Sequence, residues 1–167
     1  CPYCARGHET VAEVRKQYGD KIRFAYKHSP LSFHSFAFLA ARASVAAQRQ
    51  GKFWAFHDAL YRRRAKINEK VLLEVAKEAG LNMKMFRAQL SDLELDRQIE
   101  EDQRLASSLG VRGTPAYFIN GRPLAGAQPE IQFRLLIEEE LERAQSALES
   151  GVAPAKIYDT LIHQPLD

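Results

Sequence analysis

Cys1-Pro2-Tyr3-Cys4-Ala5-Arg6-Gly7-His8 opens the chain, and Gly110-Val111-Arg112-Gly113-Thr114-Pro115-Ala116-Tyr117-Phe118-Ile119-Asn120-Gly121 stands far downstream. Cys1 and Cys4 are the chain's two cysteines. A Cys-x-x-Cys at the first turn of a helix sets one sulfur against unpaired backbone N–H groups and the positive end of the helix dipole. That position favours the thiolate, the species that attacks disulfides. The second cysteine, one turn deeper, is within reach to resolve a mixed disulfide. The pair therefore reads as a thiol–disulfide centre with Cys1 as nucleophile and Cys4 as resolving thiol. Pro2 and Tyr3 stand between them, where they tune how strongly the Cys1 thiolate is held.

Outward from this motif, Pro2 suits a first helical turn, and Val11, Val14 and Tyr18 continue at helical spacing as far as Tyr18. Gly19 supplies the stop. Ile22-Arg23-Phe24-Ala25-Tyr26 alternates as a strand. A helical block follows: Ser35 to Gln48, Lys52 to Arg63, a helix capped by Asn68 and ended at Gly80, one capped by Asn82, and one from Leu93 to Leu109 with Leu95, Ile99, Ala106 and Leu109 on one side. The β pattern then resumes. Ala116–Ile119 reads as a strand, Asn120-Gly121 as a hairpin turn and Arg122-Pro123-Leu124 as the return. Pro129 starts a long helix with Phe133, Leu136, Ile137, Leu141, Ala144 and Leu148 as its apolar stripe, and Pro154 opens a short last helix with Ile157, Tyr158 and Leu161.

A redox Cys-x-x-Cys helix should follow a central hydrophobic strand, so the expectation is that the strand and any targeting segment lie upstream of Cys1 in a longer polypeptide. With that strand supplied, the fold class is α/β: a thioredoxin-like fold with an all-helical insertion between its two halves. The expected division is one domain over 1–167, with the thioredoxin part at 1–28 and 110–141, the insertion at 29–109 and a C-terminal helical appendage at 142–167.

At 167 residues with 46% apolar composition, the chain can bury one core. No apolar run approaches the length of a membrane helix, so the chain is not expected to span a membrane. A net charge of +3 argues against nucleic acid as a partner. The densest basic run, Arg62-Arg63-Arg64 with Lys66, reads as a solvated helix end, the alternative being an acidic partner surface.

The two motif segments above, with Lys27-His28-Ser29-Pro30-Leu31-Ser32-Phe33-His34 and Gln50-Gly51-Lys52-Phe53-Trp54-Ala55-Phe56-His57-Asp58, resemble the DsbA-like thiol:disulfide oxidoreductases in content and order. The likeness covers nearly all of residues 1–141. It implies protein thiols as substrates, a location in the bacterial periplasm or cell envelope, and a membrane redox partner for recycling. It also implies that the redox-active Cys1–Cys4 disulfide serves in place of a cofactor. Pro115 is implied to be cis, bringing the backbone of Thr114 near the active sulfur, where it can pair with an extended substrate segment; Gly113 leaves room for that approach. The family's oxidases and isomerases differ at the central pair and before the cis-proline. Pro-Tyr with Thr leaves the direction of electron flow open, although no dimerisation module is visible in the sequence, which favours an oxidase or a general disulfide exchanger over an isomerase.

Other residues carry plainer readings. His28, His34 and His57 read as packing histidines with a substrate-groove role as the alternative, and Phe53, Trp54 and Phe56 as core rather than a ligand box. Arg6 reads equally as a thiolate-stabilising charge or a solvated one. His8 and Glu9 read as surface residues and weak substitutes for a proton-transfer acid on the upstream strand. No metal site is expected: zinc on Cys1 and Cys4 would need His8 and a distant fourth ligand. A glutaredoxin is excluded by the helical insertion. The remaining alternatives are an isomerase or reductase, or a redox-regulated partner-binding domain of a larger envelope protein.

Overall fold

Asn120 and Gly121 both take positive φ, 46° and 87°, the pair that a tight two-residue hairpin turn demands. They join β1 (Ala116–Ile119) to β2 (Arg122–Ala125) as an antiparallel pair with Ala116 opposite Ala125 and Phe118 opposite Pro123. A computed structural model of the chain describes residues 1–63 and 67–163, and over these residues the fold is mostly helical with this small sheet. The chain divides into two compact units. One comprises residues 25–112 together with Cys1; the other is made from residues 2–24 and from 113 onward.

The regular elements of the first unit, among the described residues, are the helices α2 (Ala37–Arg49), α3 (Phe53–Arg62), α4 (Glu69–Glu78), α5 (Met83–Gln89) and α6 (Glu94–Ser108). Asn68 and Asn82 cap α4 and α5 with their side chains, accepting from the N–H groups of Val71 and Met85, as residues of this type do at helix starts. The small side chains of Ala43, Ala46 and Ala47, with Val45, are fully buried. They let helices approach closely around Phe56, Phe86, Leu72, Leu95 and Ile99. Arg62 and Arg63 pair with Glu78 and Glu74 of α4, so the acidic surface facing this end of α3 belongs to the chain itself. Arg64 and Lys66 of the same basic run lie outside the described residues.

On α6 the buried face runs Leu95, Ile99, Asp102, and Leu109, expected on that face, is half-exposed. Asp102 holds the place because it has work inside. Its carboxylate accepts from the backbone N–H of His28 and from Lys27 Nζ, both at 2.9 Å, which ties the stretch before Pro30 to the helix.

The second unit contains α1 (Pro2–Tyr18), the hairpin, α7 (Glu130–Glu149) and α8 (Ile157–His163). Its core joins Val11, Val14 and Tyr18 of α1 to Phe133 and Ile137 of α7, with Tyr117, Ile119 and Leu124 of the hairpin packed on it. Ile22 and Phe24 also pack there. The alternation of Ile22–Tyr26 correctly marks Ile22 and Phe24 as the inward side, but the segment is not a strand: among the described residues it joins no ladder. Alternation selects a face, whereas a strand also needs a neighbour whose N–H and C=O groups it can pair with. On α7 the strict helical period buries Ala147, and Leu148, one position on, is 39% exposed instead of completing the stripe.

α7 runs unbroken through residue 142 and carries Glu140, 2% exposed. Glu140 accepts from Arg143 at 2.6 Å and from Asn120 of the hairpin turn at 3.2 Å, and Arg143 also reaches the Leu161 carbonyl of α8. The tail is thereby tied to the hairpin through one carboxylate.

Replacing Asp102 by Ala leaves the buried His28 N–H without its acceptor, which costs about 1–3 kcal/mol. Lys27→Ala removes only a mostly exposed ammonium and costs under about 1 kcal/mol. Urea denaturation of the two variants checks the order; equal losses would mean that the ion pair, not the backbone contact, carries the energy.

Candidate active site

α1 begins at Pro2, so Cys1 immediately precedes the helix and Cys4 lies in its first turn. Cys1 is exposed and Cys4 half-buried. No acidic side chain occupies that first turn, and Arg15 and Lys16 sit in the last. The positive N-terminal end of the helix is thus left to favour an anion such as a thiolate. Pro2 is exposed, and Tyr3 is 58% exposed with the Arg6 guanidinium 5.1 Å over its ring. The stacked, exposed Arg6 adds positive charge beside the same turn.

The Thr114–Pro115 peptide is cis. Gly113 is exposed, and Thr114 and Pro115 are half-buried. The Pro115 carbonyl accepts from Gly126 N–H at 2.8 Å, which extends the hairpin pairing by one bond and fixes the backbone just before β1. On α1 the contact point is Gly7, which is buried. A Cβ placed there would stand 2.3 Å from Tyr117 Oη and 3.1 Å from Pro115 Cγ. A glycine inside a helix costs roughly 0.5–1 kcal/mol against alanine, and here the close approach of the loop explains it. Gly7 and Tyr117 are therefore part of the site's construction, although sequence reading assigned them no role. The available signal was a helix-interior glycine three residues after Cys4, on the same side of the helix.

Among the remaining candidates, His8 is half-buried and Glu9 exposed. His34 is half-buried with its ring 4.6 Å from that of Phe33. Phe56 is core, 0% exposed, whereas Phe53 and Trp54 are half-buried. These two rings join Tyr26, His28, His57 and Tyr61 in a cluster with centroid separations of 4.8–6.1 Å. The His57 ring also lies 2.9 Å from the Asp58 carboxylate. His28 is 4% exposed, and burial pushes its pKa down to about 4 against the opposing pull of Asp102, with His57 and Lys27 adding to the depression.

The family model described as Thioredoxin matches residues 1–139. A curated relative, the Na(+)/H(+) antiporter NhaA 3 of Salinispora tropica, is 36% identical over 73% of this chain; the match spans only 19% of that protein. Three solved structures share the fold. A thioredoxin-like oxidoreductase from Silicibacter pomeroyi has a TM-score of 0.76 at 30% identity, covering 83% of this chain and 79% of its own. A periplasmic thioredoxin-like protein from Salmonella enterica serovar Typhimurium has 0.74 at 24%, covering 85% and 79%. The thiol-disulfide exchange protein alpha-DsbA2 from Wolbachia pipientis has 0.76 at 21%, covering 83% and 75%.

The His28 geometry predicts a pH response of stability. Its folded pKa lies below the unfolded value of 6.5, so the unfolded chain takes up the proton first as pH falls. The stabilisation is fully present above pH 6.5 and is lost progressively toward pH 4, by up to about 3 kcal/mol. Urea unfolding at pH 7 and pH 4.5 should show this loss, and His28→Phe should show less of it. An identical pH slope in both proteins would assign the effect elsewhere.

Proposed function

The chain belongs to the thioredoxin family, and on that premise we propose that it is a thiol:disulfide oxidoreductase that passes the Cys1–Cys4 disulfide to cysteine pairs of other proteins. The observation that carries the reading is the arrangement around α1: Cys1 at the helix start, Cys4 in the first turn, and the Thr114–Pro115 loop seated on the same helix at Gly7.

In this reaction a substrate thiolate attacks the Cys1 sulfur, the Cys1–Cys4 bond breaks and Cys4 leaves as a thiolate. The second substrate thiolate then attacks the substrate sulfur of the mixed disulfide and expels Cys1 as a thiolate. The substrate loses two electrons and the Cys1–Cys4 couple gains them. An acid-free helix N-terminus stabilises the expelled Cys1 thiolate, which drives the exchange toward substrate oxidation. The backbone of Thr114 and the open approach at Gly113 receive an extended substrate segment, with Pro2 and Tyr3 flanking it. We assign the bacterial periplasm or cell envelope as the compartment, where protein disulfides persist, and a membrane redox protein as the acceptor that restores the Cys1–Cys4 disulfide.

Equilibration with glutathione tests the direction. An oxidase should give a potential near about −120 mV, against about −270 mV for a reductant; at about 30 mV per tenfold, the two readings differ by roughly five decades in the equilibrium constant. Cys1→Ser should abolish exchange, and Cys4→Ser should trap the mixed disulfide with substrate. Exchange that survives in Cys1→Ser would remove the enzyme reading.

The antiporter relative favours a second reading, in which the domain reports redox state to a membrane transporter rather than oxidising clients. Binding to such a partner would then persist in Cys1→Ser, whereas the oxidase would have lost its whole activity.

A further inference from the structure

We propose that Gly7 and Tyr117 are a coupled positioning pair of the Cys1–Cys4 centre: the Tyr117 hydroxyl fills the space that a side chain at residue 7 would need, so the bare backbone of Gly7 is what lets the Pro115 loop dock on α1 one turn beyond Cys4. The inference rests on the exchange reading above and deepens it. Gly7 lies in mid-helix and is not among the glycines with positive φ, so no local conformational demand calls for it. What forbids a side chain is a single atom. A Cβ would meet Tyr117 Oη at 2.3 Å, far inside non-bonded contact distance, while Tyr117 Cζ at 3.5 Å is at ordinary contact and Pro115 Cγ at 3.1 Å is tight.

Tyr117 is restrained on two sides. Its ring is edge-on to Phe133, with centroids 4.8 Å apart at 78°, and its backbone is paired in the hairpin opposite Leu124. An added methyl group must therefore push the loop and the helix apart rather than turn a side chain. Gly7 follows Cys4 by three residues, on the same side of α1, so the displacement falls on the resolving thiol and on Pro115 together. Removal of the hydroxyl opens the space that a methyl group needs, which makes residues 7 and 117 a coupled pair.

A double-mutant cycle tests this with Gly7→Ala, Tyr117→Phe and the combination. Reduced protein is mixed with glutathione disulfide. In the first step Cys1 thiolate takes one glutathione and releases the other. In the second, Cys4 thiolate attacks the Cys1 sulfur, forms the Cys1–Cys4 bond and releases glutathione. The second step should slow about 10- to 100-fold in Gly7→Ala, the scale of a misplacement near 1 Å. It should change less than about threefold in Tyr117→Phe and return to within about threefold of the parent in the combination. A combination as slow as Gly7→Ala, or slower, overturns the proposal. So does a Gly7→Ala variant that melts at lower temperature with an unaltered second step, because the contact would then be structural only. If Gly7→Ala does not fold, a folded combination with a near-parental second step supports the coupling, and an unfolded combination refutes it. A parent protein that never forms the disulfide overturns this inference and the exchange reading together. A parent that does form it, with additive effects in the cycle, overturns this inference alone.

Discussion

Access of a loop to the backbone of a helix is the constraint on which the cysteine end of the molecule depends. A helix normally presents a sheath of side chains, and a loop laid on it rests at side-chain distance. At Gly7 the sheath is open, and the Pro115 ring and Tyr117 hydroxyl enter the gap. Further contacts hold the hairpin beside that gap: the Pro115 carbonyl accepts from the Gly126 N–H, the Tyr117 ring packs edge-on to Phe133, and Tyr117, Ile119 and Leu124 close over Val11, Val14 and Tyr18. The helical cost of one glycine is thus offset by a packing arrangement that a larger residue would hold apart.

Two buried carboxylates play matching parts away from the cysteines. Asp102 receives a backbone N–H and an ammonium from the stretch leading to Pro30. Glu140 receives Arg143 and the Asn120 amide, joining α7 to the hairpin turn. Each sits at a position where helical periodicity calls for an apolar residue, and each accepts at least one hydrogen bond from a loop or turn, Asp102 from the His28 N–H and Glu140 from the Asn120 amide. Such groups contribute mainly by what their removal would leave unsatisfied. They act as local anchors within their respective units.

Much of the architecture was legible before any coordinates. Helix starts at Asn68 and Asn82 are written in the capping side chain, the hairpin in Asn120-Gly121, and α1 in the spacing of Val11, Val14 and Tyr18. These are short-range signals, set by the dihedral preferences and hydrogen-bonding reach of a few adjacent residues. Readings that depended on a distant partner fared differently. Ile22–Tyr26 has the alternation of a strand without a ladder among the described residues, and Leu109 and Leu148 fit an apolar stripe that turns away from them toward Asp102 and Ala147. Hydropathy alone cannot rank a buried, fully bonded carboxylate above an exposed leucine.

The site divides in the same way. Cys1 and Cys4 were singled out by residue type and spacing, because thiol chemistry favours those atoms at a helix start, and Thr114–Pro115 by the resemblance; the fold puts Cys1 just before α1, Cys4 in its first turn and a cis peptide between Thr114 and Pro115. The local order of helices and turns was likewise a property of the sequence by itself. Tertiary structure alone decided which side chain fills the space beside Gly7, that Asp102 is interior, and that His28 is buried deeply enough to stay neutral well below its usual pKa. Those outcomes follow from excluded volume and desolvation, which arise only when segments far apart in the chain are brought to the same place.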